Sequence, residues 1–191
     1  MLRVMLVDNH LERTALLQQS LTRAGYKVIA HLTDTANLND EVGRHQPDIV
    51  IIDTDSPSRD TLEHLIVMST NSPRPIVMFT FDEDSEKIRS ATRAGVSAYV
   101  VGHLPNERLK PVMEAAIARF EEFNAMRNAL DEANTKLSDR KVIERAKGLL
   151  MKQRGVDEEE AYRMLRNMAM NQKVRLGLLA EQVVQAAKLL L

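Results

Sequence analysis

The sequence predicts an α/β fold in which a doubly wound, five-stranded parallel sheet precedes a region of helices only. In the first hundred residues, short apolar runs rich in Val and Ile alternate with amphipathic segments. This alternation is typical of parallel strands joined by helices. Three of the runs are almost continuously apolar, which indicates strands covered on both faces. Beyond Pro105 the strand pattern ends, and a long stretch almost free of Gly and Pro predicts one helix.

The five apolar runs are the predicted strands, and amphipathic helices are predicted between them. The strands are Val4–Val7, Lys27–His31, Ile49–Asp53, Ile76–Thr80 and Ala98–Val101. The helices are Glu12–Ala24, Asn37–Gln46, Asp60–Ser69 and Glu83–Ala94. Gly25 and Gly95 follow two of these helices and can supply their left-handed caps. We expect the strand order 2-1-3-4-5, which is common for this pattern.

The long helix is predicted from Asn106 to about Arg154, and part of it has coiled-coil spacing. Its seam positions recur at steps of four and three: Leu109, Met113, Ala116, Phe120, Phe123, Arg127, Leu130, Asn134 and Leu137. A polar Asn in such a seam favours a parallel dimer in one register. Residues 109–117 could instead be only the last helix that covers the sheet. We expect both, with the start of the helix on the sheet and the dimer further along. We expect a homodimer and the domains 1–118, 119–137 (a coiled-coil linker) and 138–191.

Charge and composition narrow the class of protein. Residues 138–191 carry eleven Lys and Arg against seven Asp and Glu, whereas the whole chain has a net charge of −1. The basic C-terminal part suggests a polyanionic partner, although a solvated helical surface is the simpler interpretation. The absence of Cys excludes disulfides, thiolate catalysis and Cys-ligated zinc. No apolar run could span a bilayer, so we expect a cytoplasmic protein without a membrane partner.

Polar residues stand at the carboxyl ends of the predicted strands. Asp8 and Asp53 end neighbouring strands, so their carboxylates should converge where open parallel sheets bind ligands. Together with the backbone carbonyl of Asp55 they form a plausible Mg²⁺ ligand set. A carboxylate beside such a metal could accept a phosphoryl group, with Thr80 as a hydrogen-bond partner. The chain has no P-loop or dinucleotide fingerprint, so we do not expect an enzyme.

These residues resemble the receiver domain of two-component response regulators over about Leu2 to Ala118. The likeness lies in Asp-x-x-x-Pro after the third strand, Thr after the fourth and GVSAY before the fifth. It implies a receiver-like (flavodoxin-like) fold. By position it also implies Asp53 as phospho-acceptor, Asp8 with Asp53 as metal ligands, and Thr80 and Tyr99 as the switch pair.

Two departures from the receiver pattern predict an impaired pocket. The family has a second acid where this sequence has Asn9, so Mg²⁺ should bind weakly or not at all. The family also has Lys-Pro where this sequence has Gly102 and His103, and Gly cannot supply the lysine's charge. His103 could replace that charge only by reaching inward, and a loop histidine is more often solvated. We therefore expect no required cofactor and no regulated phosphorylation of Asp53.

The C-terminal stretch RKVIERAKGLLMKQRGVDEEEAYRMLRNMAM, followed by LAEQVV, resembles an ANTAR domain. The matching residues are Ala146, Lys147, Gly148, Met151, Ala161, Leu165, Ala169 and Ala180. A receiver, a coiled coil and this module in that order resemble the AmiR and NasT antitermination regulators. The stretches IDTDSPSRD and GVSAYVV favour the nitrate-assimilation type, NasT. The resemblance implies binding of hairpin leader RNA during transcription by RNA polymerase and control by a nitrate-sensing inhibitory protein.

The basic residues of this module are the candidate RNA contacts. Apolar residues occupy one face of each helix, so we expect the basic side chains to project outward into solvent. The candidates are Arg140, Lys141, Arg145, Lys147, Gly148, Arg163, Arg166, Lys173 and Arg175. Gly148 could serve close helix packing or close approach of RNA, and Tyr162 is the one aromatic that could stack on a base. The alternative function is a phosphorylation-controlled, DNA-binding response regulator with a helix-turn-helix.

Overall fold

The computed structural model describes residues 1–102 and 105–189, which form two compact units. The first unit is Met1–Asn124 and the second is Ala125–Leu191. The boundary between them falls inside one long helix. The three-part division of the chain at 118 and 137 remains a prediction.

The first unit contains the predicted five-stranded parallel sheet. Its strands are β1 (Arg3–Val7), β2 (Lys27–Leu32), β3 (Ile49–Asp53), β4 (Ile76–Thr80) and β5 (Ala98–Val101). They are hydrogen-bonded in the order β2-β1-β3-β4-β5, and every neighbouring pair is parallel. The α/β fold class and the strand order are therefore confirmed. The buried strands β1, β3 and β4 carry the almost continuous apolar runs, as strands covered on both faces require.

Helices cover both faces of this sheet. They are α1 (Leu11–Arg23), α2 (Leu38–His45), α3 (Arg59–Asn71) and α4 (Ser85–Arg93). One core lies under α2, α3 and α4, where Leu38, Leu65 and Ala91 meet alternate residues of the strands. The other core holds Leu21 of α1. Gly95 has a positive φ of 100°, and a Cβ there would collide with the Ser69 side chain, so this turn requires glycine.

A single helix, α5 (Asn106–Arg154), runs for 49 residues, as the sequence predicts. Within the first unit, Leu109, Met113 and Ala116 of α5 complete the core beside α1, so this part of the helix does cover the sheet. The apolar seam residues further along are exposed: Phe123, Leu130 and Leu137 are 66%, 61% and 55% accessible in the single chain. The coiled-coil dimer remains a prediction. In the described part of the chain, no helix is both long and apolar enough to cross a membrane.

The second unit is a small helical bundle. The C-terminal part of α5 packs with α6 (Glu158–Gln172) and α7 (Leu176–Leu189). Its core comprises Ala146, Leu150, Ala161, Leu165, Ala169, Leu179, Ala180 and Val184. The Asp157 side chain accepts a hydrogen bond from the Glu160 backbone N–H, which caps α6 as the sequence predicts. The bundle is crowded at Gly177, where a Cβ would collide with the Asp139 carboxylate.

Candidate functional site

The first candidate site lies at the carboxyl ends of the central strands. Asp8 follows β1, Asp53 ends β3 and Thr80 ends β4, and all three side chains are largely buried. Because β1, β3 and β4 are adjacent and parallel, these groups meet at one edge of the sheet, as predicted. The negative charge of Asp8 acts on Asp53 across this edge. We call this group of residues the strand-end pocket.

Both carboxylate oxygens of Asp8 already accept hydrogen bonds from the chain. The His10 backbone N–H donates to Oδ1 at 2.8 Å, and the Thr14 hydroxyl lies 2.9 Å from both Oδ2 and the His10 carbonyl, so it is shared between these two acceptors. The donors come from the start of α1, which holds the carboxylate against the helix. Asn9, the neutral residue in place of a second acid, is exposed. Asp8 is therefore anchored from within the protein.

Arg13 of α1 is the residue that sequence reasoning missed. Its Nη1 donates to Asp55 Oδ1 at 2.6 Å, and its Nε lies 3.9 Å from Asp53 Oδ2. The guanidinium also lies over the Phe81 ring, 5.7 Å from the ring centroid, within the range of a cation–π contact. The only signal in the sequence is an arginine near the start of the first helix, directly after the Asp8 strand end.

Burial and neighbouring charges shift the pKa values of the ionisable side chains in this pocket. Burial raises the pKa of Asp53, and the nearby charges of Asp8 and Asp55 add to that rise, whereas Arg13 opposes it. The hydrogen bond from Arg13 lowers the pKa of Asp55, which is mostly exposed. Burial by itself lowers the pKa of Arg13, but the bond to Asp55 and the surrounding carboxylates together raise it. Arg13 is therefore a permanent cation among three carboxyl groups.

The hydroxyls assigned to the switch pair are engaged within the chain. The Thr80 hydroxyl donates to the Asp55 backbone carbonyl at 2.8 Å, and the Phe81 N–H reaches the same oxygen at 3.2 Å. The expected metal-binding carbonyl of Asp55 therefore already has two donors. The Tyr99 hydroxyl donates to the Asp82 carbonyl at 2.9 Å. Their assignment as a switch remains a prediction.

A second charged cluster lies beside the pocket at the start of α4. Lys87 Nζ contacts Asp82 Oδ2 at 2.5 Å and Ser56 Oγ at 2.7 Å. The hydrogen bond from Lys87, with those from the Ser56 hydroxyl and the Asp84 backbone N–H, lowers the pKa of Asp82 to about 2. The cluster links the loop after β3 to the loop after β4. Lys87 is paired with Asp82, and no ion pair joins it to Asp53 in the part of the chain that the structure describes.

Gly102, which follows β5, brings no side chain to the rim of the pocket. Gly102 has a positive φ of 79°, and a Cβ there would meet no atom within 4 Å. A cavity of about 250 Å³ opens beside Asp53 and includes Arg13, Phe81 and Gly102 in its wall. The predicted substitute for the missing lysine, His103, lies outside the described residues.

The second candidate site is the basic surface of the helical bundle. Most of the predicted RNA contacts are exposed: Arg140, Lys141, Arg145, Gly148, Arg163, Arg166, Lys173 and Arg175. Arg163 lies 3.5 Å from Glu160, a loose surface pair. The structure therefore leaves these groups accessible to solvent, and their role as RNA contacts remains a prediction.

The expectation that every basic group projects outward is wrong for Lys147. Its side chain is only 10% exposed, and its Nζ lies 2.6 Å from Glu158 and 2.8 Å from Glu144. Lys147 follows Ala146 on the face of α5 that packs into the bundle, so its ammonium reaches the first turn of α6. These two carboxylates raise the pKa of Lys147. The geometry gives Lys147 a structural contact.

The expectation of close helix packing at Gly148 is also wrong. A Cβ at this position would meet no atom within 4 Å, and the residue is exposed. The close approach in the bundle occurs instead at Gly177, against Asp139. Of the two interpretations of Gly148, close helix packing is excluded, and close approach of RNA remains a prediction.

Comparison with known proteins identifies both parts of the chain. The response regulator receiver domain family matches residues 4–114, and the ANTAR domain family matches residues 131–184. The transcriptional regulatory protein PdtaR of Mycobacterium tuberculosis is 30% identical over 169 residues, covering 88% of this chain and 82% of that protein.

Solved structures resemble the part of the chain that contains the sheet. A two-component response regulator of the LuxR family from Aurantimonas sp. SI85-9A1 is 28% identical, with a TM-score of 0.56. The match covers 62% of this chain and 86% of that one. The receiver domain of a modulated diguanylate cyclase from Desulfovibrio desulfuricans G20 has the same fold, at 21% identity and a TM-score of 0.56. That match covers 63% of this chain and 97% of that one. The chain therefore belongs to the response regulators in which a receiver domain is followed by an ANTAR domain.

Proposed function

We propose that this protein is a transcription antitermination factor that binds hairpin leader RNA through its ANTAR domain. ANTAR regulators bind RNA. The observation that carries the proposal is a row of unpaired cations on α5, formed by Lys141, Arg145 and Lys152 around Gly148. We call this row the basic stripe.

The spacing of the basic stripe puts its members on one side of α5. The steps from Lys141 to Arg145, then to Gly148 and then to Lys152 are four, three and four residues. Such steps return to the same helix face. All four residues are exposed. Among the described residues of the second unit, the ion pairs involve other basic side chains, and none includes Lys141, Arg145 or Lys152. Three positive charges are thus free to meet an outside anion.

Phosphates are the natural ligand of such a row. Lysine and arginine that neutralise phosphates release condensed counterions, which drives binding to a nucleic acid. Gly148 leaves a gap in the middle of the row, so an RNA backbone or a loop nucleotide could approach the helix surface closely. Loop bases are usually recognised by stacking and hydrogen bonds, and Tyr162 on α6, 43% exposed, is available for stacking.

The test compares RNA with DNA. The full chain is titrated with a two-hairpin leader RNA, with the same RNA after its loops are closed by extra base pairs, and with duplex DNA of the same sequence. We expect the intact leader to bind most tightly, because the loops present unstacked bases. Equal or tighter binding of the duplex DNA would overturn the proposal and favour the alternative, a phosphorylation-controlled DNA-binding regulator.

We also propose that the protein acts as a homodimer through a parallel coiled coil. The exposed apolar residues of α5 support this: Phe123, Leu130 and Leu137 follow the predicted seam, and Asn134 lies among them. Such a row of large apolar groups is costly to leave in water. A two-hairpin leader would then present one hairpin to each copy of the ANTAR domain.

The upstream signal is proposed to reach the protein without phosphorylation of Asp53. The neutral Asn9, the bare Gly102 and the anchored oxygens of Asp8 support an impaired pocket. The resemblance of IDTDSPSRD and GVSAYVV to nitrate-assimilation regulators suggests nitrate or nitrite assimilation as the regulated process. A nitrate-sensing inhibitory protein would then release this regulator to act on RNA polymerase at the leader.

A further inference from the structure

The strand-end pocket contains a protein cation at the place where the family uses a metal. Receiver domains commonly use Mg²⁺ at the phosphorylation site. Mg²⁺ prefers six oxygen ligands in a nearly octahedral arrangement, and proteins usually supply these as carboxylates, carbonyls and water.

Hydrogen bonds from the chain already take up part of the oxygen donor capacity that a metal would need. The two Asp8 oxygens hold hydrogen bonds from His10 and Thr14 at 2.8 Å and 2.9 Å. The carbonyl of Asp55 holds two donors as well, at 2.8 Å and 3.2 Å. The adjacent position, Asn9, carries no charge. Within residues 1–102 and 105–189, no three His, Cys, Asp or Glu side chains are arranged to hold a metal ion.

Arg13 supplies the positive charge instead. Its guanidinium bonds Asp55 at 2.6 Å, lies 3.9 Å from Asp53 and also feels the charge of Asp8. Two of its nitrogens, Nε and Nη2, are buried without a hydrogen-bond partner. The Arg13 side chain is partly buried, with 24% of it exposed, and it is held there by charge and by its contact with Phe81 rather than by a full set of hydrogen bonds. A dication in the same space would face this fixed charge at short range.

We propose that the Arg13 guanidinium is the resident counter-ion of the strand-end pocket and takes the place of the divalent cation. The single charge of Arg13 offsets part of the negative charge of Asp53 and Asp55, and it keeps Mg²⁺ out. The net charge of the strand-end pocket therefore stays the same, whatever the concentration of Mg²⁺ or of a phosphoryl donor. This role of Arg13 is independent of RNA binding by the ANTAR domain.

The test measures Mg²⁺ binding to the full-length protein by calorimetry and by thermal melting. Arg13→Met removes the charge and keeps an apolar stem, and Arg59→Met is the matched control. Arg59 is an exposed arginine on α3 that is paired only with Glu63, so its loss should not affect the pocket. We expect wild type and Arg59→Met to show no Mg²⁺ binding in the millimolar range.

Arg13→Met should melt at a lower temperature than wild type without metal, because three carboxyl groups lose their counter-ion. Mg²⁺ should bind this variant at least about tenfold more tightly than wild type and restore part of the loss. Equal Mg²⁺ affinity in wild type and Arg13→Met would overturn the proposal. So would a folded Arg13→Met that binds no Mg²⁺.

A second variant separates charge from shape. Arg13→Lys keeps the positive charge, so it should exclude Mg²⁺ as wild type does, even if Arg13→Met folds poorly. Mg²⁺ binding by Arg13→Lys would overturn the proposal. Efficient labelling of wild-type Asp53 by acetyl phosphate with Mg²⁺, abolished in Arg13→Lys, would also overturn it, because Arg13 would then serve the phosphoryl group.

Discussion

The strand-end pocket and the basic stripe differ in whether their charged side chains are paired. In the pocket, Arg13 is paired with Asp55 and Asp53, and next to it Lys87 is paired with Asp82. In the stripe, Lys141, Arg145 and Lys152 project from one face of α5 without a carboxylate partner among the described residues. One region satisfies its charges inside the chain, whereas the other leaves them for a partner.

This difference shows where an outside ligand can act. A charge that is removed from water must be paired, so the pocket's ion pairs maintain its structure at the cost of its capacity to bind ions. An exposed cation keeps its hydration and is worth little to stability, but it can still neutralise an incoming phosphate. Under our two proposals, the receiver domain excludes a metal ion and the basic stripe binds a polyanion.

Neutralising the stripe should produce the largest effect. The triple change of Lys141, Arg145 and Lys152 to Gln should weaken leader-RNA binding on the order of 100-fold at low salt, because three phosphate contacts are lost. The slope of log affinity against log salt should become shallower by about 2 units. Both quantities come from fluorescence anisotropy titrations at several salt concentrations.

A matched triple variant controls for net charge. Changing Lys27, Arg59 and Arg89 to Gln removes three exposed cations from the receiver domain instead. This variant should bind RNA as wild type does. If both triple variants lose affinity equally, only the overall charge of the protein matters and the contrast between the two regions fails.

The sheet and the convergence of its polar residues could be predicted from the sequence. Parallel strands bring their carboxyl ends to one edge, so the positions of Asp8, Asp53 and Thr80 followed from the strand order alone. The long helix was predictable because almost nothing in its sequence could end it before Gly155. Backbone propensity and apolar periodicity determine these features, and both can be read locally.

The partners of long charged side chains could not be predicted in this way. Arg13 and Lys147 each find carboxylates that the fold brings close from another element, Asp55 in one case and Glu158 in the other. An arginine or lysine has several rotatable bonds, so its direction depends on three-dimensional neighbours. Gly148 and Gly177 show the same limit, because only the packing shows that Gly177 is crowded and Gly148 is open.

A change at Lys147 tests the distinction between paired and unpaired cations within one helix. Lys147→Met keeps the apolar stem but removes the ammonium that contacts Glu144 and Glu158. We expect the melting temperature to fall by a few degrees, since α6 loses a contact between its first turn and α5. The salt dependence of RNA binding should stay as in wild type. A shallower salt slope with unchanged melting would mean that Lys147 contacts phosphate after all.

The smallest change, Gly148→Ala, should move stability and RNA affinity in opposite directions. Alanine fits without a clash, because a Cβ at this position meets no atom within 4 Å, and it should stabilise the helix by about 1 kcal/mol. If RNA approaches the stripe at this gap, the added methyl group should weaken binding several-fold.

Gly43→Ala is the matched control, since Gly43 lies inside α2 with equally open surroundings. It should raise stability through the same propensity gain and leave RNA affinity unchanged. Tighter RNA binding by Gly148→Ala, in step with its stability, would mean that Gly148 serves flexibility rather than close approach, and the stripe would then bind RNA through its charges alone.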